Sequence, residues 1–545
     1  MKKNYGIFLS YAPNVDLRSE GLGRYLASFM KGAISRNEVQ FTIVCPSWSK
    51  SGLYALFESE NVPLDKFVIQ SPDSKPLILS IYEKYISYKK NRRNKYRILS
   101  NAKEYLRHLT DRYLNRVESY LISAVSLRDI IPILFEVAII GILLIGLAPV
   151  FIALLMFVAL LIKISSVVKG TLLKFFIKYL IRMSSIISSP KNDGLVISLY
   201  NKLEAAESKR MLNLVDSLSD ISAWYCPTAF WPEFNKIHAP RLLCVPDVVL
   251  TEFPVGFCNV GGERFLQTFR KIESTIRDGD HFVTYSNKVK WDTLVERYKV
   301  NPAHISVIHH APNTLDRTIS PDGKSLQCEE VNLQARSDFM NALKKSNKTR
   351  YISGFSNDEV KFIFYASQTR PNKNMLSLFK AYNYLLRERF LSCKLIVTGS
   401  QSEISEIATF IKEQELELDV LFLHGLSVPE LAACYHLAEL AVNPSLSEGG
   451  CPFTFTEALS VNTPVVMARI PVTEEILTDP ELQEMTFFDP YDWRDMAKRI
   501  EWALHHKDIL LRKQLQIYDQ LSMRTWSDVV NEHIDILERI SCLEK

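Results

Sequence analysis

The stretch Leu437–Ser460, LAELAVNPSLSEGGCPFTFTEALS, decides how the rest of the chain is read. Its first part is a short apolar run that ends at Asn443-Pro444, as a buried strand does. Its last part, PFTFTEALS, has a helical pattern with Pro452 near the first turn, where a missing N–H costs nothing. Glu448 therefore lies in the turn and Glu457 about a turn and a half into the helix. Gly449 and Gly450 permit close backbone approach, and the helix start aims free N–H groups and a positive dipole end at the same place. An anionic or hydroxyl-rich ligand fits there. Two solvated carboxylates on an ordinary strand-turn-helix unit are the commoner case, so the remaining sequence must decide.

A chain of 545 residues exceeds what one core usually organises, and two large domains are expected. Charged residues make up 23% and the net charge is only +4, too small to argue for nucleic acid. The nine cysteines show no CxxC or Cys/His cluster at ligand spacing, which fits free thiols in a reducing compartment. The opening MKKNYGIFLSYAP turns polar too soon for a signal peptide, so a cytoplasmic location is expected. One segment breaks this ordinary pattern. Val137–Ile162 is a run of 26 residues without a charge, enough for a helix of about 39 Å. Pro149 near its middle implies a kink or a hairpin. Basic residues flank both sides, which suits two ends held at one anionic membrane surface.

The order of elements is that of α/β domains. YGIFLSYAP, a loop NVDLRSEGLGRY, helix LASFMKGAI and strand VQFTIVCPS make a βαβ start; GLGR, Gly21–Arg24, is a phosphate loop or a plain tight turn. Residues from about 75 to 190 hold basic and apolar helical patterns and form an insert, with a membrane hairpin at about 130–169. Strand patterns resume at ISAWYCPTAF, RLLCVPDVVL, DHFVTYS and HISVIHH, completing a first domain over 1–315. A linker with an extra helix is expected over 316–359, a second doubly wound domain over 360–522, and a C-terminal helix over 523–545 that packs back on the first domain. The loops GLGR, TRPNKN, HGLS and SEGG each follow a strand, so all four converge on one cleft at the carboxyl ends of the strands.

With these motifs in this order, the chain resembles the GT-B retaining glycosyltransferases of family four (glycosyl transferases group 1), over both α/β blocks but not the insert. The most specific part is NPSLSEGGCPFTFTEALSVNTPVV, residues 443–466. The resemblance implies two Rossmann-like domains facing a cleft and transfer of a hexose, mannose among the candidates, from a nucleoside-diphosphate sugar. The acceptor would be a lipid-linked or growing cell-surface glycan such as lipopolysaccharide or capsule. It implies that Glu448 meets the donor sugar, that Glu457 accepts hydrogen bonds from the ribose, and that Gly449, Gly450, Cys451 and Phe453 line the sugar and diphosphate. Arg370 and Lys373 would neutralise the leaving diphosphate, with Gly21, Gly23 and Arg24 approaching it from the other domain and His424-Gly425 near the base. No cofactor and no metal are expected, the nucleotide sugar being a co-substrate, and the protein would sit at the cytoplasmic face of the inner (plasma) membrane through its apolar insert.

Three departures stand out. Eight residues separate Glu448 from Glu457, against seven in the family, and Arg370 lies closer to Lys373 than in many members. Pro246-Asp247 stands where many members carry His-Asp, so Asp247 either orients the acceptor hydroxyl or caps a turn. His309 and His310 are hinge candidates. Two other readings stay open: a GT-B-like epimerase or phosphorylase, and a membrane-anchored scaffold without activity. No pyridoxal-phosphate lysine or phosphate-pocket signature favours a phosphorylase, and the filled ligand positions argue against a decayed site.

Overall fold

The computed structural model describes residues 3–76 and 79 (without 14, 20, 35, 37, 65 and 66), 195–345, 360–399 and 404–543. Met1–Asp73 and Ala206–Lys545 form one compact unit. The apolar hairpin expected over 130–169 lies outside the described residues; among these, no helix is long and apolar enough to cross a membrane.

The first sheet holds β1 (Lys3–Phe8), β2 (Val39–Val44), β3 (Phe67–Gln70), β4 (Ile221–Cys226), β5 (Arg241–Cys244), β6 (His281–Thr284) and β7 (Ile305–Val307). Their order is β3-β2-β1-β4-β5-β6-β7, and every pair is parallel. The second sheet holds β8 (Lys361–Tyr365), β9 (Cys393–Thr398), β10 (Val420–Leu423), β11 (Leu440–Asn443), β12 (Val465–Ala468) and β13 (Phe487–Phe488), in the order β10-β9-β8-β11-β12-β13, again parallel. These are the two doubly wound domains the alternating pattern implies. Parallel sheets need helices on both faces, which explains why VLFL, LAVN and VVMA are buried at every position. The side chains still alternate. Phe362 and Phe364 enter one core of the second domain, whereas Ile363 and Tyr365 enter the core on the opposite face. Strand β3, at the edge and buried only at alternate positions, is the strand that the sequence pattern did not announce.

Two boundaries differ from expectation. The helix after β1 spans Gly21–Ala33, so Gly21–Arg24 form its first turn rather than a loop before it. Gly23 is required there by packing, since a Cβ would lie 1.9 Å from the Leu17 carbonyl oxygen. The stretch after residue 315 is not a linker throughout: Ile319 and, on the helix Glu329–Lys344, Val331, Ala335, Phe339, Ala342 and Leu343 belong to the second domain's core. At the C-terminus, the helix Trp526–Leu543 inserts Val529, Val530, Ile534 and Leu537 into the first domain's core. It lies so close to the Gly21–Ala33 helix that a Cβ on Gly32 would fall 2.3 Å from the Trp526 carbonyl oxygen.

Candidate active site

In each sheet the strand order reverses once, between β1 and β4 and between β8 and β11. Loops leaving the carboxyl ends of such strands diverge and open a crevice. The loop after β8 carries Arg370 and Lys373, the loop after β11 carries Glu448, and the two are laced together: the Leu446 amide donates to the Asn372 carbonyl (2.8 Å). Buried Tyr365 donates to the Lys373 carbonyl (3.2 Å). Held in this way, Lys373 Nζ reaches Glu448 Oε1 at 2.7 Å, both side chains about four-fifths shielded from solvent. Burial opposes the Lys373 charge, but the Glu448 carboxylate, with Tyr365 and Asp247, outweighs it and holds the ammonium above its usual range. The longer loop thus still delivers Glu448 to the crevice beside Lys373. Arg370 is exposed and its guanidinium makes no hydrogen bond among the described residues.

Glu457, on the helix Phe453–Ser460, is buried. Arg24 of the first domain forms an ion pair with its Oε1, and Asn313 Nδ2 lies 3.4 Å from the same oxygen. The Glu457 charge, ahead of the opposing effect of burial, raises the Arg24 pKa further. Ser460, one turn on, accepts from the Leu315 amide at 2.9 Å and donates to the Glu457 carbonyl at 2.7 Å. Arg24 thus comes into the cleft, where its partner is Glu457.

The glycine pair is occupied from across the cleft. A Cβ on Gly449 would lie 2.1 Å from the Pro246 carbonyl oxygen, and one on Gly450 would meet Tyr285 Cβ at 2.9 Å and His310 Nε2 at 3.1 Å. The Pro246 backbone and the Tyr285 and His310 side chains of the first domain therefore leave no room for a side chain at either position. This contact sets partly buried Asp247 beside the second domain's loop, where burial first, and then the Glu448 charge, raise its carboxyl pKa against the pull of Lys373 and Arg370. The Gly450 and Cys451 amides make no hydrogen bond among the described residues and stand next to the Phe453 helix start. Burial, reinforced by Glu448, pushes the Cys451 thiol up to about 12.

His310 is wedged among Phe453 (ring centroids 4.5 Å apart), Tyr285 (5.5 Å) and Trp526 (6.4 Å), and burial lowers its pKa to about 4. Arg524 Nε donates to the His309 carbonyl at 2.7 Å. The pair therefore joins the first domain to the C-terminal segment. His424 and Gly425 follow β10 at the far edge of the second sheet, both exposed, with Gly425 at φ +59°. Gly21 is exposed with open space around it.

Two participants escaped the sequence reading. Asn313 faces Glu457, and Glu475 accepts the Asn287 (2.9 Å) and Lys288 (2.7 Å) amides that open the helical segment Val289–Arg297 of the other domain. Their partners lie more than a hundred residues away, and no local motif marks either.

Comparisons with known proteins bear on the fold and on the family of the second domain. The chain is 27% identical over 272 residues, 48% of its length, to the O-antigen chain mannosyltransferase RfbU of Salmonella typhimurium, and the match spans 61% of that protein. In fold it is similar to a glycosyltransferase from Rickettsia africae (TM-score 0.50, 11% identity, covering 99% of this chain and 98% of that one). It is similar also to Anabaena HepE in complex with UDP and glucose (TM-score 0.51, 11% identity, 99% and 100%). Residues 347–520 match the family of glycosyl transferases group 1. The second domain of this chain is thus a glycosyl transferases group 1 domain, in a fold shared with solved glycosyltransferases.

Proposed function

We propose that this chain is a retaining hexosyltransferase, taking the sugar from a nucleoside diphosphate and giving it to a growing or lipid-linked glycan of the cell surface. One observation carries the reading: cations, free backbone amides and carboxylates gather at the reversal point of the second sheet. Among the described residues Arg370 has no ion-pair partner and the Gly450 and Cys451 amides at a helix start have no acceptor, while Lys373 stays charged beside Glu448. Such a group suits a leaving diphosphate, whose developing charge fixed cations and amides stabilise. Carboxylates are acceptor-only groups, and in Glu448 and Glu457 they suit sugar and ribose hydroxyls.

In this reading the C1–oxygen bond to the diphosphate breaks with Arg370 and Lys373 taking up the charge. The acceptor hydroxyl adds to the same face of C1, and its proton passes to the departing phosphate oxygen, so no separate base is required. Asp247, reaching in from the first domain, orients that hydroxyl. Mannose as the transferred sugar is suggested by the mannosyltransferase relative, and a membrane-linked acceptor by the apolar run Val137–Ile162. No cofactor enters the scheme.

The deciding experiment is a thermal-shift panel of nucleoside diphosphates and their sugars, followed by transfer assays with the sugar nucleotide that shifts most. A rise in Tm with one nucleotide and transfer with retained anomeric configuration are expected. No shift with any nucleotide would end the reading, and release of sugar phosphate only when phosphate is added would make the protein a phosphorylase.

A further inference from the structure

A cavity of about 720 Å³ lies towards the β13 edge of the second sheet. The sheet order places β10, with His424-Gly425 after it, at one edge and β13 at the other. The cavity is built at the β12–β13 side from Arg469, Glu484, Phe487, Tyr491 and Arg499, and is closed from the first domain by Phe253 and the Lys288–Glu252 ion pair. Leu446, two residues before Glu448, also lines it, so it opens beside the proposed point of transfer.

Its chemistry is selective. Arg499 donates its Nε to the Phe487 carbonyl at 3.1 Å and lies over the Trp502 ring, 5.5 Å from its centroid; its terminal nitrogens make no hydrogen bond among the described residues. Burial lowers the Arg499 pKa, partly offset by Asp495 and Glu484. Glu484 likewise makes no hydrogen bond among the described residues, and Tyr491 stands 76% exposed at the mouth. Arg469 stacks on Phe487, 5.2 Å from its centroid. Carboxylates on the walls disfavour a polyanion, and the unpaired charges disfavour a purely apolar guest. A guanidinium only donates and a carboxylate only accepts, so a group that does both satisfies the two together, and a sugar hydroxyl is such a group.

We propose that this cavity is a saccharide subsite for the acceptor glycan, holding the unit next to the one that receives the transferred sugar. The proposal rests on the transferase reading above. It divides the cleft by sheet edge: nucleotide towards β10, transfer at the β8–β11 reversal, acceptor chain towards β13.

The test uses the full chain and saturation-transfer NMR with the methyl glycosides of glucose, galactose, mannose and rhamnose, the donor site being filled with the nucleoside diphosphate that shifts the Tm. At least one glycoside is expected to give signals that survive the nucleotide and fall about fivefold or more in both Tyr491→Ala and Glu484→Gln. Both residues are exposed, so unaltered melting and an unaltered nucleotide shift are expected in the variants. Silence from all four glycosides, or signals unchanged in the variants, would overturn the subsite. Absence of any nucleotide shift in the wild type would instead strike the transferase reading.

Discussion

Arg24 of the first domain and Glu457 of the second form an ion pair across the cleft, with Glu457 almost wholly buried and Arg24 about three-quarters so. The carboxylate proposed for the ribose is thus already engaged, and a bound nucleotide must share or displace the guanidinium. A freed guanidinium beside a diphosphate has an obvious new partner.

Truncating one member of a buried pair leaves the other charge without a partner, at a cost of about 3–5 kcal/mol. Glu457→Ala is therefore expected to lower the Tm as well as to reduce transfer at least about tenfold, from the loss of a contact worth roughly 1.5–3 kcal/mol. Glu457→Gln keeps a neutral acceptor for Arg24 and separates the two effects: transfer still falls while most of the Tm returns. Full activity in folded Glu457→Gln would remove the residue from the donor site.

The two cations of the β8 loop differ in setting, and their substitutions should differ accordingly. Arg370 is exposed and has no ion-pair partner among the described residues, so Arg370→Ala should leave the Tm unchanged while weakening nucleoside-diphosphate binding about tenfold or more, measured by titration calorimetry. Lys373→Ala should weaken binding and transfer at least as much, and also lower the Tm, because Glu448 loses its partner at 2.7 Å. Equal binding in Arg370→Ala and wild type would assign the diphosphate to other groups.

Asp247 yields a pH signature. Its folded pKa is raised by burial, so the native state keeps a proton that the unfolded chain loses near pH 3.9. Stability attributable to this group therefore falls as pH rises from there through the raised folded value, and at pH 7 the charged form is a net cost. Asp247→Asn should raise the Tm at pH 7 yet lower transfer, and should remove an acidic limb from the kcat/KM profile that lies above the ordinary aspartate range. A variant no more stable than wild type would contradict the buried charge.

His310 and His533 give the opposite dependence. Burial depresses both from about 6.5 to about 4, so each stays neutral in the folded chain while the unfolded chain takes up a proton. Stability is full above pH 6.5 and is lost as pH falls towards 4, about 3 kcal/mol for each group over the window. Thermal melts between pH 7 and 4.5 should show this fall, and a less steep one in His310→Gln. An identical slope in the variant would show that His310 is not held neutral.

Much of this molecule was legible in the chain itself. Short fully apolar runs such as VLFL and VVMA, separated by helical patterns, admit only parallel strands covered on both faces, and that alone implies two doubly wound sheets. The motif around Glu448 and Glu457 was legible because strand, turn and helix are local, and local geometry follows from residue type and spacing. What Arg24 does, and what Gly449 and Gly450 admit, was decided only by the tertiary structure. The ion pair joins residues 433 positions apart, and the glycines are filled by Pro246, Tyr285 and His310 from another domain. Likewise, nothing near residue 475 marks Glu475 as a cap for Asn287 and Lys288, and nothing near residue 491 marks Tyr491 as the rim of a cavity. Hydrophobic pattern specifies elements and their faces, whereas a pairing across a cleft depends on how two finished domains dock, and that information is spread over the whole chain.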